Sequence, residues 1–427
     1  MNVRILFLTH YYPPEVNAPA TRTHEHCREW AAAGHDVHVV TCAPSHPIGR
    51  LFPGYRRQWH RHELVDGVHV HRVWTYLAAN RGTVRRTINY LSFAVSGAWR
   101  AWRLGSFDVA VGTSPQFFCA VATWIVARLR GLPWVFEVRD LWPASIAALG
   151  AIHRQSIPMR WLERLESRLY RDAAAVACLT RGFMAALEAR GVDPAKLHYL
   201  PNGIIPEFWA EGNRDGARRD LSVGPDEVLL SYVGTTGMAH GLVALLDAAA
   251  LLHVLAPEVR VLIVGDGAEL EALREQAEAR RLTNVRLTGL VPRARIPSLL
   301  AASDIMLVTL RPSEVFKTVL PSKMFEAMAA ARPIVLGVEG EAHDTLLRAG
   351  AGIAVPPGNA EALAAAVHRL ARDPLQRTAM GESGAAYVRR EFSRRTWGVR
   401  YLALLEMVAA AAGARRIAPD GHDPVPL

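Results

Sequence analysis

The chain has 427 residues, half of them apolar, and its 49 Lys and Arg against 40 Asp and Glu give a formal charge of +9. That supports two or three packed domains and excludes a disordered or fibrous chain. Cys27, Cys42, Cys119 and Cys178 have neither paired nor metal-type spacing, which excludes a disulfide scaffold and predicts a reducing, cytoplasmic setting.

In chain order, the apolar start is too short for a signal core and reads as a first buried strand over 4–9. A helix over 22–33, closed by Gly34, and a strand over 37–41 complete a βαβ opening. Residues 50–103 then hold ten arginines against only Glu63 and Asp66, a basic patch suited to nucleic acid, anionic headgroups or a pyrophosphate. Within it, Val84, Ile88, Leu91, Val95, Ala98 and Trp102 follow helical spacing, flanked by Arg85, Arg86, Trp99, Arg100 and Arg103. Such a stripe either packs on a domain core or lies at a membrane interface. His60-x-His62 and His69-x-His71 show no third ligand nearby in sequence, so alternating surface positions explain them and no metal is expected.

Strands over 68–74, 107–112, 134–138, 174–179 and 197–200 alternate with helices over 115–130, 158–170 and 181–190. The apolar run at 117–127 is too short to cross a bilayer. Residues 206–225 have linker composition. A second alternating series follows, with strands over 227–233, 259–264, 285–289, 305–310 and 334–338. Its helices cover 242–255, 268–281, 296–302, 321–331 and 357–372, and a helical pattern over 379–412 breaks near Phe392-Ser393. The pattern is two doubly wound α/β domains facing a cleft. The expected division is 1–205 (basic, acceptor-side), 206–225 (linker), 226–385 (donor-side), 386–412 (helix returning to the first domain) and 413–427 (tail).

The stretch PSKMFEAMAAA at 321–331 carries the clearest chemistry. Ser322 is placed as N-cap, Met324, Ala327, Met328 and Ala331 form the buried stripe, and Pro333 stops the helix. Lys323 and Glu326 then share one face. A cation at the positive end of a helix suits a diphosphate and a carboxylate one turn on suits a sugar hydroxyl, although a solvated Lys–Glu pair has the same spacing. Lys196, Lys317 and Lys323 are the only lysines, and two of them flank this helix start.

Six motifs recur in a meaningful order: Tyr11-Tyr12-Pro13-Pro14-Glu15 through Pro19-Ala20-Thr21-Arg22, Arg139-Asp140-Leu141-Trp142-Pro143-Ala144-Ser145, Leu200-Pro201-Asn202-Gly203-Ile204, Val233-Gly234-Thr235, Val264-Gly265-Asp266-Gly267, and Pro321-Ser322-Lys323-Met324-Phe325-Glu326-Ala327. Together they make nearly the whole chain resemble a retaining GT-B glycosyltransferase of family 4. The resemblance is closest to the branch that builds O-antigen and colanic-acid repeat units, including N-acetyl-L-fucosaminyl transferases.

The resemblance implies a nucleotide diphosphate sugar, such as a UDP-N-acetyl-amino sugar, on the second domain. Glu326 would hold the ribose, and Pro321, Ser322 and Lys323 the diphosphate, beside Gly234, Thr235, Gly237 and Gly265. Tyr12, Pro14, Glu15, Arg22 and Trp142 would line the acceptor side. Arg139 and Asp140 stand where a strand-end cation could stabilise the leaving group or form a structural ion pair. Two departures appear: Thr318 occupies the place of a family Glu, and Thr235 and His240 replace an Arg and a Lys, leaving Lys323 or Lys317 to supply charge.

The implied reaction transfers the sugar to a polyprenyl-diphosphate-linked saccharide on the inner face of the plasma membrane, without metal, cofactor or nucleic acid. The absence of G-x-G-x-x-G after the first strand counts against NAD(P). A nucleotide-sugar 2-epimerase and a non-catalytic nucleotide-sugar or lipid-binding partner remain as other readings of the same fold.

Overall fold

The structure is a computed structural model that describes residues 2–46, 48–78, 83–143 and 156–417. Ala144 and Ser145 of the RDLWPAS motif, and 418–427 of the expected tail, lie outside them.

The first half builds an eight-stranded sheet in the order β3-β4-β2-β1-β5-β6-β7-β8. Its strands are β1 (Arg4–Leu8), β2 (Asp36–Cys42), β3 (His60–Val65), β4 (Val68–Val73), β5 (Val109–Thr113), β6 (Trp134–Val138), β7 (Ala175–Cys178) and β8 (Leu197–Tyr199). All neighbours are parallel except β3, which pairs antiparallel with β4. Helices cover both faces, so the central strands are continuous apolar runs: every residue of β5, β6 and β7 is buried.

The second half forms an all-parallel sheet, β11-β10-β9-β12-β13-β14, from β9 (Val228–Val233), β10 (Val259–Val264), β11 (Val285–Gly289), β12 (Ile305–Thr309), β13 (Ile334–Gly337) and β14 (Gly352–Ala354). Both units are doubly wound, as expected, with the cleft-forming loops at the carboxyl ends of their strands.

The expected linker is instead two short helices, Pro206–Ala210 and Arg214–Leu221, packed on the second unit. Trp209 and Ala217 are buried, and Arg214 and Arg218 both hold Asp304 at 2.6 and 2.9 Å. Polar composition here serves an ion-pair cluster rather than a free tether.

The chain crosses between the two units twice, at one place. Ile204 N donates to Phe392 O (2.7 Å) and Arg394 N to Ile204 O (2.9 Å). A Cβ on Gly203 would stand 2.5 Å from the Arg394 Cα, so only glycine lets the two crossings touch. The last helix, Arg394–Ile417, then returns to the first unit, where Tyr401, Leu404, Leu405 and Val408 join the core around Trp30. It continues past the expected end at 412.

Candidate active site

The helix Ser322–Ala329 begins at the floor of the cleft with Pro321, not Ser322, in the capping position, and no side chain caps it. The Ser322 hydroxyl lies inside the first turn and accepts a hydrogen bond from Asn202 Nδ2 of the first unit (3.1 Å). Met324, Phe325, Ala327 and Met328 bury the back of the helix, turning Lys323 and Glu326, both half-buried, toward the cleft.

Lys323 Nζ donates to the Tyr232 hydroxyl (2.7 Å) and stands 4.1 Å from the centre of that ring. Tyr232 in turn donates to Thr235 O (2.6 Å), so one short chain of contacts ties the ammonium to the loop after β9. Burial pushes the ammonium down to about 7, against the pull of Glu326. Burial likewise raises the Glu326 carboxyl, opposed by Lys323, Arg293 and Arg394. These opposite shifts belong to two groups drawn out of water side by side, a combination that recurs at functional sites.

The loops after β9 and β10 pack backbone on backbone beside Lys323. Gly234 has φ 149°, and a Cβ there would meet Lys323 Nζ at 2.9 Å; Gly265 has φ 136°, and its Cβ would meet Gly234 O at 1.8 Å. Thr235 is exposed at the rim and Gly237 is half-buried. His240 lies 6.0 Å from the Tyr232 ring, and burial drives its imidazole down to about 3, so it adds no positive charge near neutral pH.

Across the cleft, Arg293 donates to the Thr21 hydroxyl (2.8 Å) and Arg394 pairs with Glu25 (3.0 Å). On the other flank Glu341 accepts from the backbone N–H groups of Arg181 (3.0 Å) and Gly182 (2.5 Å), and the Thr180 hydroxyl donates to Thr318 O (2.7 Å). Contacts on both flanks thus join the two units.

Two sequence comparisons decide the family. Residues 17–203 match the glycosyl transferase 4-like domain, and residues 213–387 match the glycosyl transferases group 1 domain. The chain belongs to the GT-B glycosyltransferases of family 4. It is 26% identical over 409 residues, 92% of its length and 96% of the relative's, to the putative colanic acid biosynthesis glycosyl transferase WcaI of Escherichia coli K12. It is 27% identical over 260 residues to the probable glycosyltransferase WbjE of Pseudomonas aeruginosa, spanning 60% of this chain and 64% of that one. Among solved structures, Anabaena Alr3699/HepE in complex with UDP and glucose superposes at a TM-score of 0.72 with 17% identity, covering 95% of this chain and all of that one. WaaG, a glycosyltransferase involved in lipopolysaccharide biosynthesis, gives 0.67 with 19% identity, covering 96% and 99%. Those likenesses establish the fold.

In this glycosyltransferase the residues expected on the acceptor side divide sharply. Pro14 is exposed and Trp142 is half-buried, stacked on Phe117 at 4.4 Å. Tyr12 is fully buried, its hydroxyl 3.1 Å from His24. Glu15 is buried and accepts from the backbone of Ser45 and His46 at 2.9 and 2.8 Å; burial raises its carboxyl to about 7.

Arg22 is buried too, paired with Glu137 (2.9 Å) and donating to the carbonyls of Leu200 and Pro201. It braces the crossing segment instead of facing a substrate. Arg139 points its guanidinium into the same buried group, toward Glu137, Arg22, Arg394 and Tyr401, with Nε and Nη1 unpartnered. Asp140 is half-exposed beside it. Lys317 is half-exposed and paired with Glu314 (2.7 Å) and Glu339 (3.4 Å), whereas Lys323 is the cation against the Gly234 loop.

Sequence reasoning missed Tyr232, Arg293, Arg394 and Glu25. Nothing local marks them, because each reaches the site through a contact more than 90 positions long.

Proposed function

We propose that the enzyme transfers a sugar from a UDP-sugar, with a UDP-N-acetyl-amino sugar as its expected form, to a polyprenyl-diphosphate-linked saccharide. The setting is assembly of a bacterial surface polysaccharide of the O-antigen or exopolysaccharide type. The observation that carries this reading is the placement of Lys323 and Glu326 on one face of an uncapped helix start, against the Gly234 and Gly265 loops. Family membership makes the chain a transferase, the name of WcaI points to colanic acid, and the HepE complex holds UDP and glucose on the same fold.

Lys323, with the helix N-terminus, takes up the charge that develops on the departing diphosphate, and Glu326 holds the ribose hydroxyls. This arrangement fulfils the role a metal plays elsewhere, so none is required at the diphosphate. Retention is assigned to attack on the face that the leaving group departs from, the leaving phosphate oxygen taking the acceptor proton. Arg139, behind the cleft floor, is assigned a positioning role through Glu137 and Arg394. Closure of the two units excludes water that would hydrolyse the donor.

The first domain is assigned to the anionic inner leaflet. Along the helix Thr83–Arg103, Asn89, Phe93, Gly97 and Ala101 face the core, while the stripe read from the sequence is left uncovered except at Ala98: Val84 is 71% exposed, Val95 73% and Trp102 48%. Trp59, Trp74 and Trp99 wall an apolar groove of about 810 Å³ along this stripe, with Arg100 and Arg103 at its end. Apolar and aromatic groups beside guanidinium groups are the composition of a surface that enters a headgroup layer. Among the described residues no helix is long and apolar enough to cross a membrane.

Thermal-shift titration with UDP, GDP and NAD tests the donor assignment on the wild type, Lys323→Ala and Glu326→Ala. UDP should raise the Tm, and both substitutions should cut the shift; stabilisation by NAD alone would overturn the assignment. UDP release from a UDP-N-acetylhexosamine in the presence of membranes then separates a transferase from a binding partner without turnover.

A further inference from the structure

Five of the histidines, His38, His60, His62, His69 and His71, converge on one patch of the first sheet. β2 and β4 run parallel with His38 opposite His69, and Asp36, two residues before His38, points to the same face. β3 adds His62 opposite His71. The rings stack at 4.7 Å (His38–His69), 5.3 Å (His62–His69) and 4.8 Å (His62–His71). Alternating surface positions explain the two pairs taken singly, but not their convergence, and the third ligand that the sequence did not show is supplied by β2.

We infer that Asp36, His38 and His69 form a binding site for a divalent first-row transition ion, with Zn²⁺ as its expected occupant. One donor atom from each lies within 4.8 Å of the others. A tetrahedral zinc with bonds of about 2.0–2.1 Å brings its donors to about 3.4 Å, a contraction that small side-chain rotations supply.

The atoms that would not bind the ion are already occupied. Asp36 Oδ2 accepts from Arg4 Nε (2.7 Å), His38 Nδ1 lies 3.0 Å from His71 Nε2, and His69 Nδ1 lies 3.1 Å from His62 Nε2. That leaves Asp36 Oδ1 and His38 Nε2, which stand 2.9 Å apart, together with His69 Nε2 as the available donors. Ligating imidazoles are characteristically oriented in this way by a partner on the second nitrogen. Two imidazoles and one carboxylate suit zinc, nickel or cobalt and not the hard ions magnesium and calcium. The side chains of His38 and Asp36 are 14% and 31% exposed, so an ion can enter and a water can complete its shell.

The site lies at the amino ends of β2 and β4, whereas the donor cleft opens at the carboxyl ends of the strands. It is therefore independent of the transfer reaction and of the reading proposed for it. Its ion would pin the edge of the sheet to which β3 is attached.

The test is titration of the untagged full chain with Zn²⁺ by calorimetry and with Co²⁺ by visible absorption. One ion per chain is expected, with cobalt bands of low coordination number and a higher Tm. His38→Ala and His69→Ala should abolish stoichiometric binding, and Asp36→Asn should weaken it at least tenfold, while His253→Ala, on the second domain, leaves it unchanged. His69→Gln serves if an alanine variant fails to fold. Absence of saturable binding, or binding that survives both His38→Ala and His69→Gln, overturns the site.

Discussion

Lys323 sits where a small change in environment has a large effect. Its ammonium shares the Tyr232 hydroxyl and ring, has little solvent, and is pushed down to about 7 by burial. A diphosphate arriving beside it restores the lost charge stabilisation, so the ligand selects the protonated form. Above about pH 7 the free enzyme progressively loses that form, and binding must then include uptake of a proton. UDP affinity should fall between pH 7 and 9, approaching tenfold per pH unit at the upper end, and calorimetry in two buffers should show the proton uptake. The slope should vanish in Lys323→Ala. The same lowered value acts on stability in the opposite sense: the unfolded chain binds the extra proton between about pH 7 and the ordinary lysine range, so this group's penalty on folding is full below that window and fades as pH rises through it.

At the scale of elements, the proposed donor site is two glycine loops and a helix start held in one place by three parallel strands. The loops can touch because Gly234 and Gly265 take backbone conformations that other residues rarely adopt. Gly265→Ala places a methyl 1.8 Å from Gly234 O and adds strain at φ 136°. It should cost at least about 2–3 kcal/mol of stability in the second domain and abolish UDP binding, measured by denaturant unfolding and by titration.

Much of this architecture was legible because its signals are local. The spacing of Lys323 and Glu326, the glycines after β9 and β10, and the apolar runs of the central strands are all set within a few residues. What was not legible depends on distant partners. Arg22 carries the same charge as the surface arginines around it, and only Glu137, 115 positions away, makes it a buried brace. β3 escaped notice because HRHELV is a polar edge strand, stabilised by its antiparallel partner and not by burial of its own side chains.

For the molecule as a whole, the decisive asymmetry is between two joined units and an open flank. The units meet through Arg293–Thr21, Glu341–Gly182 and the doubled crossing at Gly203, whereas along the helix Thr83–Arg103 the side chains of Val84, Ile88, Leu91, Val95 and Trp102 stay exposed. Periodicity showed that this helix has an apolar face, but it could not show that the core would take the Phe93 side and leave the Val95 side bare. An uncovered apolar stripe costs solubility unless a surface of the same kind receives it. Charge selects that surface: Arg85, Arg86 and Arg103 are exposed beside it, each worth about 1 kcal/mol near an anionic headgroup layer. The protein should therefore float with vesicles containing anionic phospholipid, release as salt shortens the Debye length, and bind neutral vesicles weakly. Trp99→Ser with Trp102→Ser should reduce binding at every salt concentration, because the lost term is apolar. Arg85→Gln with Arg86→Gln should reduce it mainly at low salt. Neither pair touches the donor loops, so UDP binding in solution should stay unchanged while transfer to a membrane-held acceptor falls; equal binding of all variants to anionic vesicles would place the docking surface elsewhere.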